Sequence, residues 1–157
     1  MADTEEMIRK ALRRPQASPD DVAVERLGDE AFNWIIPQIT AGTLTEKETV
    51  RGLSLLSMLT REFCQRRKGA LLDLTLMLAR KREMAASVRS AAVHIAVINA
   101  RLASKFPDAS AVYGRPLAAI RAAVVDAARE AIELGLTPDM VSFAQHFLDT
   151  EEPTKRT

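Results

Sequence analysis

Apolar residues recur at three- and four-residue intervals along most of the chain, which is the spacing that places them on one face of an α-helix. The clearest case is the segment 83–104. Its stripe consists of Val88, Ala91, Ala92, Ile95, Ile98 and Leu102. Val, Ile, Thr and Tyr do not gather into alternating runs, so β-strands are not expected. The pattern predicts an all-α protein.

Eight helices are predicted from this periodicity and from capping signals. They cover residues 3–14, 18–27, 29–40, 45–66, 70–81, 83–104, 116–134 and 137–148. Thr45 and Glu48 have the spacing of a capping box at the start of the fourth helix. Pro37 is expected to kink the third helix or end it early, because proline removes a backbone donor. Gly42 and Gly69 are expected just beyond the ends of the third and fourth helices.

The remaining segments are predicted to be irregular. Residues 105–116 form the longest connector, and residues 151–157 are expected to be a flexible tail after a single domain that spans 1–150. Most other connectors are short, so consecutive helices should be antiparallel neighbours. Either a closed, irregular multi-helix bundle or a stack of helical hairpins would satisfy this prediction.

Two long segments share a local motif. In both 45–66 and 83–104 a Val-Arg pair, Val50-Arg51 and Val88-Arg89, follows a polar turn and precedes small apolar residues. Glu83 is the acid in the second turn, whereas Thr45 stands at that place in the first.

This arrangement over residues 29–104 resembles HEAT repeats, in which a short helix, a turn and a longer helix form each unit. The resemblance implies a right-handed stack of antiparallel helical hairpins of the HEAT or armadillo type. It also implies scaffold or adaptor work through the face lined by second helices. In such a stack, an arginine of the first turn can reach an acid or carbonyl of the adjoining hairpin.

Composition narrows the class of protein. The chain of 157 residues has 22 Lys and Arg against 21 Asp and Glu, a formal net charge of +1. This balance gives no whole-molecule argument for binding nucleic acid or an anionic membrane. No segment approaches the roughly 20 apolar residues of a membrane span, and the polar N-terminus lacks the apolar core of a signal peptide. We therefore expect a cytoplasmic protein.

Candidate chemistry is sparse in the sequence. Cys64 is the single cysteine, and neither His94 nor His146 has a second histidine or cysteine at metal-ligand spacing. His146 and Asp149 are three residues apart, but no nucleophile accompanies them, and a surface pair is the simpler interpretation. The sequence predicts no catalytic residue, metal site or cofactor, and the protein is expected not to be an enzyme.

Binding is the predicted function. The helix at 48–64 is apolar over more than half of its circumference, so it is either buried or exposes a strip that docks a partner helix. The predicted apolar contacts are Leu56, Leu59 and Phe63, with Trp34 as an anchor. The predicted basic contacts are Arg61, Arg66, Arg67, Lys68, Arg101 and Lys105.

These cations would line one edge if the two long helices stack in parallel, although cations at helix ends also simply complement the helix dipole. The sequence thus favours an adaptor that binds a protein partner, with a homodimer as one possibility. The alternative is a helical-repeat protein that binds nucleic acid through its basic helix ends, against which the neutral charge and few aromatic residues argue.

Overall fold

The computed structural model describes residues 2–13, 24, 26–62 and 65–151, and most of these residues are helical. The α-helices are α1 (Ala2–Arg13), α2 (Asp29–Ala41), α3 (Glu46–Glu62), α4 (Lys68–Ala79), α5 (Ala86–Ala103), α6 (Ala109–Tyr113), α7 (Leu117–Leu134) and α8 (Pro138–Glu151). Within the described ranges there is no β-strand, and the all-α prediction is confirmed. The predicted helix at 18–27 lies mostly outside the described residues.

The chain divides into two compact units, Met1–Arg66 and Arg67–Thr157. A single domain over 1–150 therefore stays a prediction. Glu151 is the last residue of α8, and the rest of the predicted tail lies outside the described residues.

In the first unit, α1, α2 and α3 pack against one another in all three pairings. Its core is built from large aliphatic and aromatic side chains with at most 2% of their surface exposed. They are Ile8, Leu12, Phe32, Ile35, Ile39, Leu53, Leu55, Leu56 and Leu59. Gly52 brings α3 close to α2, because a Cβ atom there would lie 3.2 Å from Ile35 Cγ2.

The limits of α2 and α3 follow local capping chemistry. Gly42 adopts the left-handed conformation (φ 73°) after α2, and its amide donates to the carbonyls of Gln38 and Ile39. The capping box of α3 is confirmed: the Thr45 amide donates to Glu48 Oε1 (3.0 Å) and the Glu48 amide to Thr45 Oγ1 (3.2 Å). Of the two effects expected of Pro37, an early end of α2 is excluded, because the helix continues past this exposed proline to Ala41.

In the second unit, α4 and α5 form one hairpin and α7 and α8 form another. The α5 helix also packs against α7 and α8, and α4 packs against α6 and α7. Because α5 contacts helices on several sides, even its polar residues Arg89, Ser90 and Asn99 are buried.

Two predictions about the second unit are wrong. Gly69 does not follow a helix but lies in the first turn of α4, where a Cβ atom would be only 2.8 Å from the carbonyl oxygen of Tyr113. The connector at 105–116 is not wholly irregular, since it contains α6. The Asp108 side chain caps α6 by accepting from the Ser110 amide (3.0 Å), and Gly114 ends it at φ 75°.

Candidate partner-binding surface

The apolar face of α3 is buried, which was one of the two alternatives that its sequence allowed. Leu56 and Leu59 are both 0% exposed, because α3 packs against both α1 and α2. The prediction that these two leucines contact a partner is therefore corrected: they are core residues. Phe63, the third predicted apolar contact, lies outside the described residues.

Trp34 keeps part of its surface accessible on α2. The guanidinium carbon of Arg9 lies 5.0 Å from the centroid of the Trp34 ring. Arg9 is also paired with Glu5 one turn earlier on α1, at 3.0 Å. Trp34 is thus a half-buried aromatic residue that an arginine partly covers.

The basic residues from the end of α3 to the start of α4 differ in how accessible they are to solvent. Arg61 and Arg66 are exposed, and Arg66 forms an ion pair with Asp29 in the first turn of α2. Arg67 is half-buried at the N-terminal cap of α4. Lys68 is only 3% exposed, so its prediction as part of an accessible edge is corrected. The common edge with Arg101 and Lys105 stays a prediction.

Arg101 and Lys105 are exposed on or just beyond the last turn of α5, as predicted. The guanidinium carbon of Arg101 lies 5.4 Å from the centroid of the Phe143 ring on α8. The His94 ring is also near Phe143, with centroids 5.1 Å apart and planes inclined by 57°. His94 and Arg101 share one side of α5, because seven residues are close to two whole helical turns, and Lys105 follows shortly after the helix ends at Ala103. We name these three residues and Phe143 the α5–α8 surface.

Phe143 is the residue that sequence reasoning missed. It lies one turn before Phe147 on α8, so the sequence could place both rings on one helix face. In the structure Phe147 is buried, whereas Phe143 is half-buried at the rim of the contact with α5. Only the packing of α8 on α5 distinguishes the two.

The start of α8 is fixed to α5 through a buried hydroxyl. Ser90 Oγ accepts from the Thr137 amide (2.9 Å) and from the Thr137 hydroxyl (3.2 Å). Ser90 contacts Thr137 near the beginning of both helices, and His94 and Arg101 contact Phe143 further along. The two helices therefore run in the same direction.

Arg89 fixes the turn that precedes α8. This arginine is 5% exposed, and its Nε donates to the Gly135 carbonyl (2.8 Å) and its Nη2 to the Leu134 carbonyl (3.2 Å). Its Nη1 donates to the carbonyls of Lys81 (3.1 Å) and Met84 (2.8 Å) in the turn before α5. Arg89 thus bonds carbonyls at the end of α7 and in the turn before α8, whereas the repeat arrangement from which such bonds were expected stays a prediction.

Asn99 connects α5 to α6. Its Nδ2 donates to the Ile95 carbonyl (2.9 Å), and its Oδ1 accepts from the Tyr113 hydroxyl (2.9 Å). Burial raises the pKa of Tyr113 to about 12. Asn99 therefore bonds both the backbone of its own helix and a side chain of α6.

The other described residues considered for catalysis or metal binding lie on the surface or contact residues of their own helix. His146 is exposed, and Asp149 accepts from Gln145 Nε2 (3.1 Å) on the same helix. In the described part of the chain, no group of three or more His, Cys, Asp or Glu side chains could hold a metal ion. None of the helices described here has the length and apolar character that crossing a membrane requires.

Comparison with known proteins adds no family. The chain matches no protein-family model, no curated protein and no solved structure at a significant level of similarity.

Proposed function

We propose that this protein is a binding module of stacked helical hairpins, an adaptor or scaffold without enzymatic activity, that holds a protein partner on the α5–α8 surface. The observation that carries the proposal is the half-buried ring of Phe143, shared between Arg101 and His94 at the exposed junction of two parallel helices.

The packing of the second unit favours a hairpin stack of the HEAT type over a closed bundle. Arg115, just before α7, pairs with Asp73, and Glu130 near the end of α7 pairs with Arg80 after α4 (2.6 Å). The first helices of the two hairpins, α4 and α7, therefore run in parallel, as α5 and α8 do. A closed four-helix bundle would also pack α4 extensively against α8, and among the described residues it does not.

The composition of the α5–α8 surface is that of a protein contact. Aromatic residues and arginine are enriched where alanine substitution costs the most binding energy, and lysine is more common at the rim. Phe143 is held by helix packing and by Arg101, so a partner would order few further side chains on binding. Arg101 itself retains exposed donors around its guanidinium group.

The test is affinity capture from native lysate with two charge-reversal variants of the whole chain. Arg101→Glu changes the proposed surface, and Arg82→Glu is its matched control, since Arg82 is an exposed cation in the turn before α5. We expect Arg101→Glu to lose proteins that both wild type and Arg82→Glu retain. Thermal unfolding of all three proteins checks that each variant is folded.

Two results would contradict the proposal. One is an identical set of captured proteins for both variants and wild type. The other is capture that disappears after nuclease treatment of the lysate, which would indicate the alternative function of nucleic-acid binding. Sedimentation of the purified chain tests separately for a homodimer, which would depend on protein concentration.

A further inference from the structure

We infer that the α5–α8 surface binds an acidic peptide segment in which carboxylates lie next to a large apolar side chain; this inference rests on the proposed function and specifies its partner. The observations that carry it are two exposed cations at the C-terminal end of α5, Arg101 and Lys105, and the aromatic ring of Phe143 beside Arg101.

Arg101 and Lys105 differ from the other cations that face neighbouring helices in the second unit. Arg80 pairs with Glu130, Arg115 with Asp73, and Arg121 of α7 approaches Glu151 to 3.9 Å. Among the described residues, neither Arg101 nor Lys105 forms an ion pair, and the one described interaction of the Arg101 side chain is with the Phe143 ring. Their positive charge is thus not neutralised within the part of the chain that the structure describes.

Arg101 is prepared to bind a carboxylate. Stacking on Phe143 restricts the guanidinium group without using its hydrogen-bond donors, because the ring attracts the cation through its π face. A planar guanidinium group can then bind both oxygens of one carboxylate. Lys105, just beyond the end of α5, offers a second positive charge for a neighbouring carboxylate.

Phe143 supplies the apolar part of the contact. Its ring is half-buried, so it is fixed in place and still has surface to cover. An apolar side chain of the partner that lies against this ring would exclude water from the adjacent Arg101–carboxylate pair and strengthen it.

Acidic residues limit the size of the positive area. Asp139 is exposed one turn before Phe143 on α8, Asp149 follows later on that helix, and Asp108 caps α6 shortly after Lys105. A nucleic-acid backbone requires several successive phosphate contacts for useful affinity. Two cations on segments that also carry acids suit a short acidic peptide better than a phosphate backbone.

The experiment is a selection from a random peptide library displayed on phage, with the whole protein as bait. Wild type is compared with the double variant Arg101→Gln and Lys105→Gln, and with Arg82→Gln as a matched control for the loss of an exposed cation. We expect wild type and Arg82→Gln to enrich peptides that combine Asp or Glu with Leu, Ile, Phe or Trp. The double variant should lose this enrichment.

Fluorescence anisotropy then measures how tightly the protein binds the selected peptide. The same measurement is made with a counterpart peptide in which Gln and Asn replace Glu and Asp. We expect each single substitution, Arg101→Gln or Lys105→Gln, to weaken binding of the acidic peptide about twofold to fivefold, the range for exposed charge pairs. Binding should also weaken with added salt, and the neutral peptide should bind less tightly than the acidic one.

The inference is overturned if no acidic peptides are enriched, or if the double variant binds them as well as wild type. It is also overturned if a single-stranded DNA oligonucleotide binds more tightly than the peptide with the same dependence on Arg101 and Lys105. Partner capture that Arg101→Glu abolishes, together with failed peptide selection, would refute the acidic peptide and leave the proposed function standing. Peptide selection that succeeds while Arg101→Glu leaves partner capture unchanged would support acidic peptide binding at this surface and refute the proposed function.

Discussion

At the scale of single residues, the polar side chains buried in the second unit mostly serve to join helices. Asn99 bonds both the carbonyl of Ile95 and the hydroxyl of Tyr113, and Ser90 bonds Thr137. A buried polar group without a partner is costly, so each of these residues requires the neighbour that satisfies it. The sequence places Asn99 in an apolar helical segment but does not identify Tyr113 as its partner.

The first prediction concerns the ionisation of Tyr113, the one tyrosine of the chain. Its pKa is raised by burial from 10.0 to about 12. The folded protein therefore holds this proton more tightly than the unfolded chain. The stability that follows is fully present below pH 10.0 and is lost as pH rises towards 12.

Ultraviolet absorbance of the phenolate measures this ionisation at a single site. At pH 10.0, the ordinary tyrosine pKa, we expect little phenolate in the native protein and about half ionisation in the urea-unfolded control. Equal ionisation of both samples would contradict a buried Tyr113. Tyr113→Phe, which leaves the Asn99 oxygen unpaired, should lower the free energy of unfolding by about 1–2 kcal/mol.

At the scale of helices, a helix begins or ends where the sequence predicts when a short capping motif alone fixes that boundary. The box of Thr45 and Glu48 at α3 and the left-handed glycine after α2 are both where their sequence signals indicate. Gly69 resembles such a signal but has another cause, since the backbone of Tyr113 lies too close for a side chain. Both a helix end in the left-handed conformation and a close approach of two backbones favour glycine, so the sequence alone does not show which of the two a glycine serves.

The second prediction concerns the charge of Glu48 at the start of α3. Its hydrogen bond with the Thr45 amide is the main cause that lowers the pKa of Glu48 below the ordinary value of 4.5. The resulting stability is present above pH 4.5 and is lost as pH falls through the lower pKa of the folded state. Glu48→Gln keeps an acceptor for the capping box but removes this charge.

Urea unfolding at two pH values tests the role of Glu48. At pH about 7 we expect wild type to be more stable than Glu48→Gln by about 0.3–1 kcal/mol, the usual range for a charge in the first turn of a helix. As pH falls through the lowered pKa of Glu48 in the folded state, the carboxylate becomes protonated, so the difference should shrink towards zero. A difference that does not depend on pH would indicate that the charge of Glu48 has no role.

At the scale of the whole molecule, the chain consists of two compact units, and residues distant in sequence organise the second one. Arg89 bonds carbonyls in the turn before α5 and at the end of α7. It therefore joins the α4–α5 hairpin to the α7–α8 hairpin. The α5–α8 surface exists because this junction aligns α8 with α5.

The third prediction is that Arg89→Met strongly destabilises the second unit. The methionine fills part of the volume but removes the donor that bonds the carbonyls of Met84, Leu134 and Gly135, so we expect a loss of about 3 kcal/mol or more in the free energy of unfolding. Arg82→Met removes a nearby exposed charge and should change stability by no more than about 0.5 kcal/mol. Chemical denaturation, followed by circular dichroism, measures both variants. Similar small losses would show that the carbonyls do not depend on Arg89.

The sequence by itself determined the helical class of this protein and most helix limits, because periodicity and capping act over a few residues. Only the tertiary structure decided which apolar helix faces are buried and which rings remain at the rim. Leu56 and Phe143 are both apolar residues on amphipathic helices, yet packing buries the first completely and leaves the second beside Arg101. The physical reason is that exposure depends on how many neighbouring helices pack around a residue, and distant segments of the chain supply those neighbours.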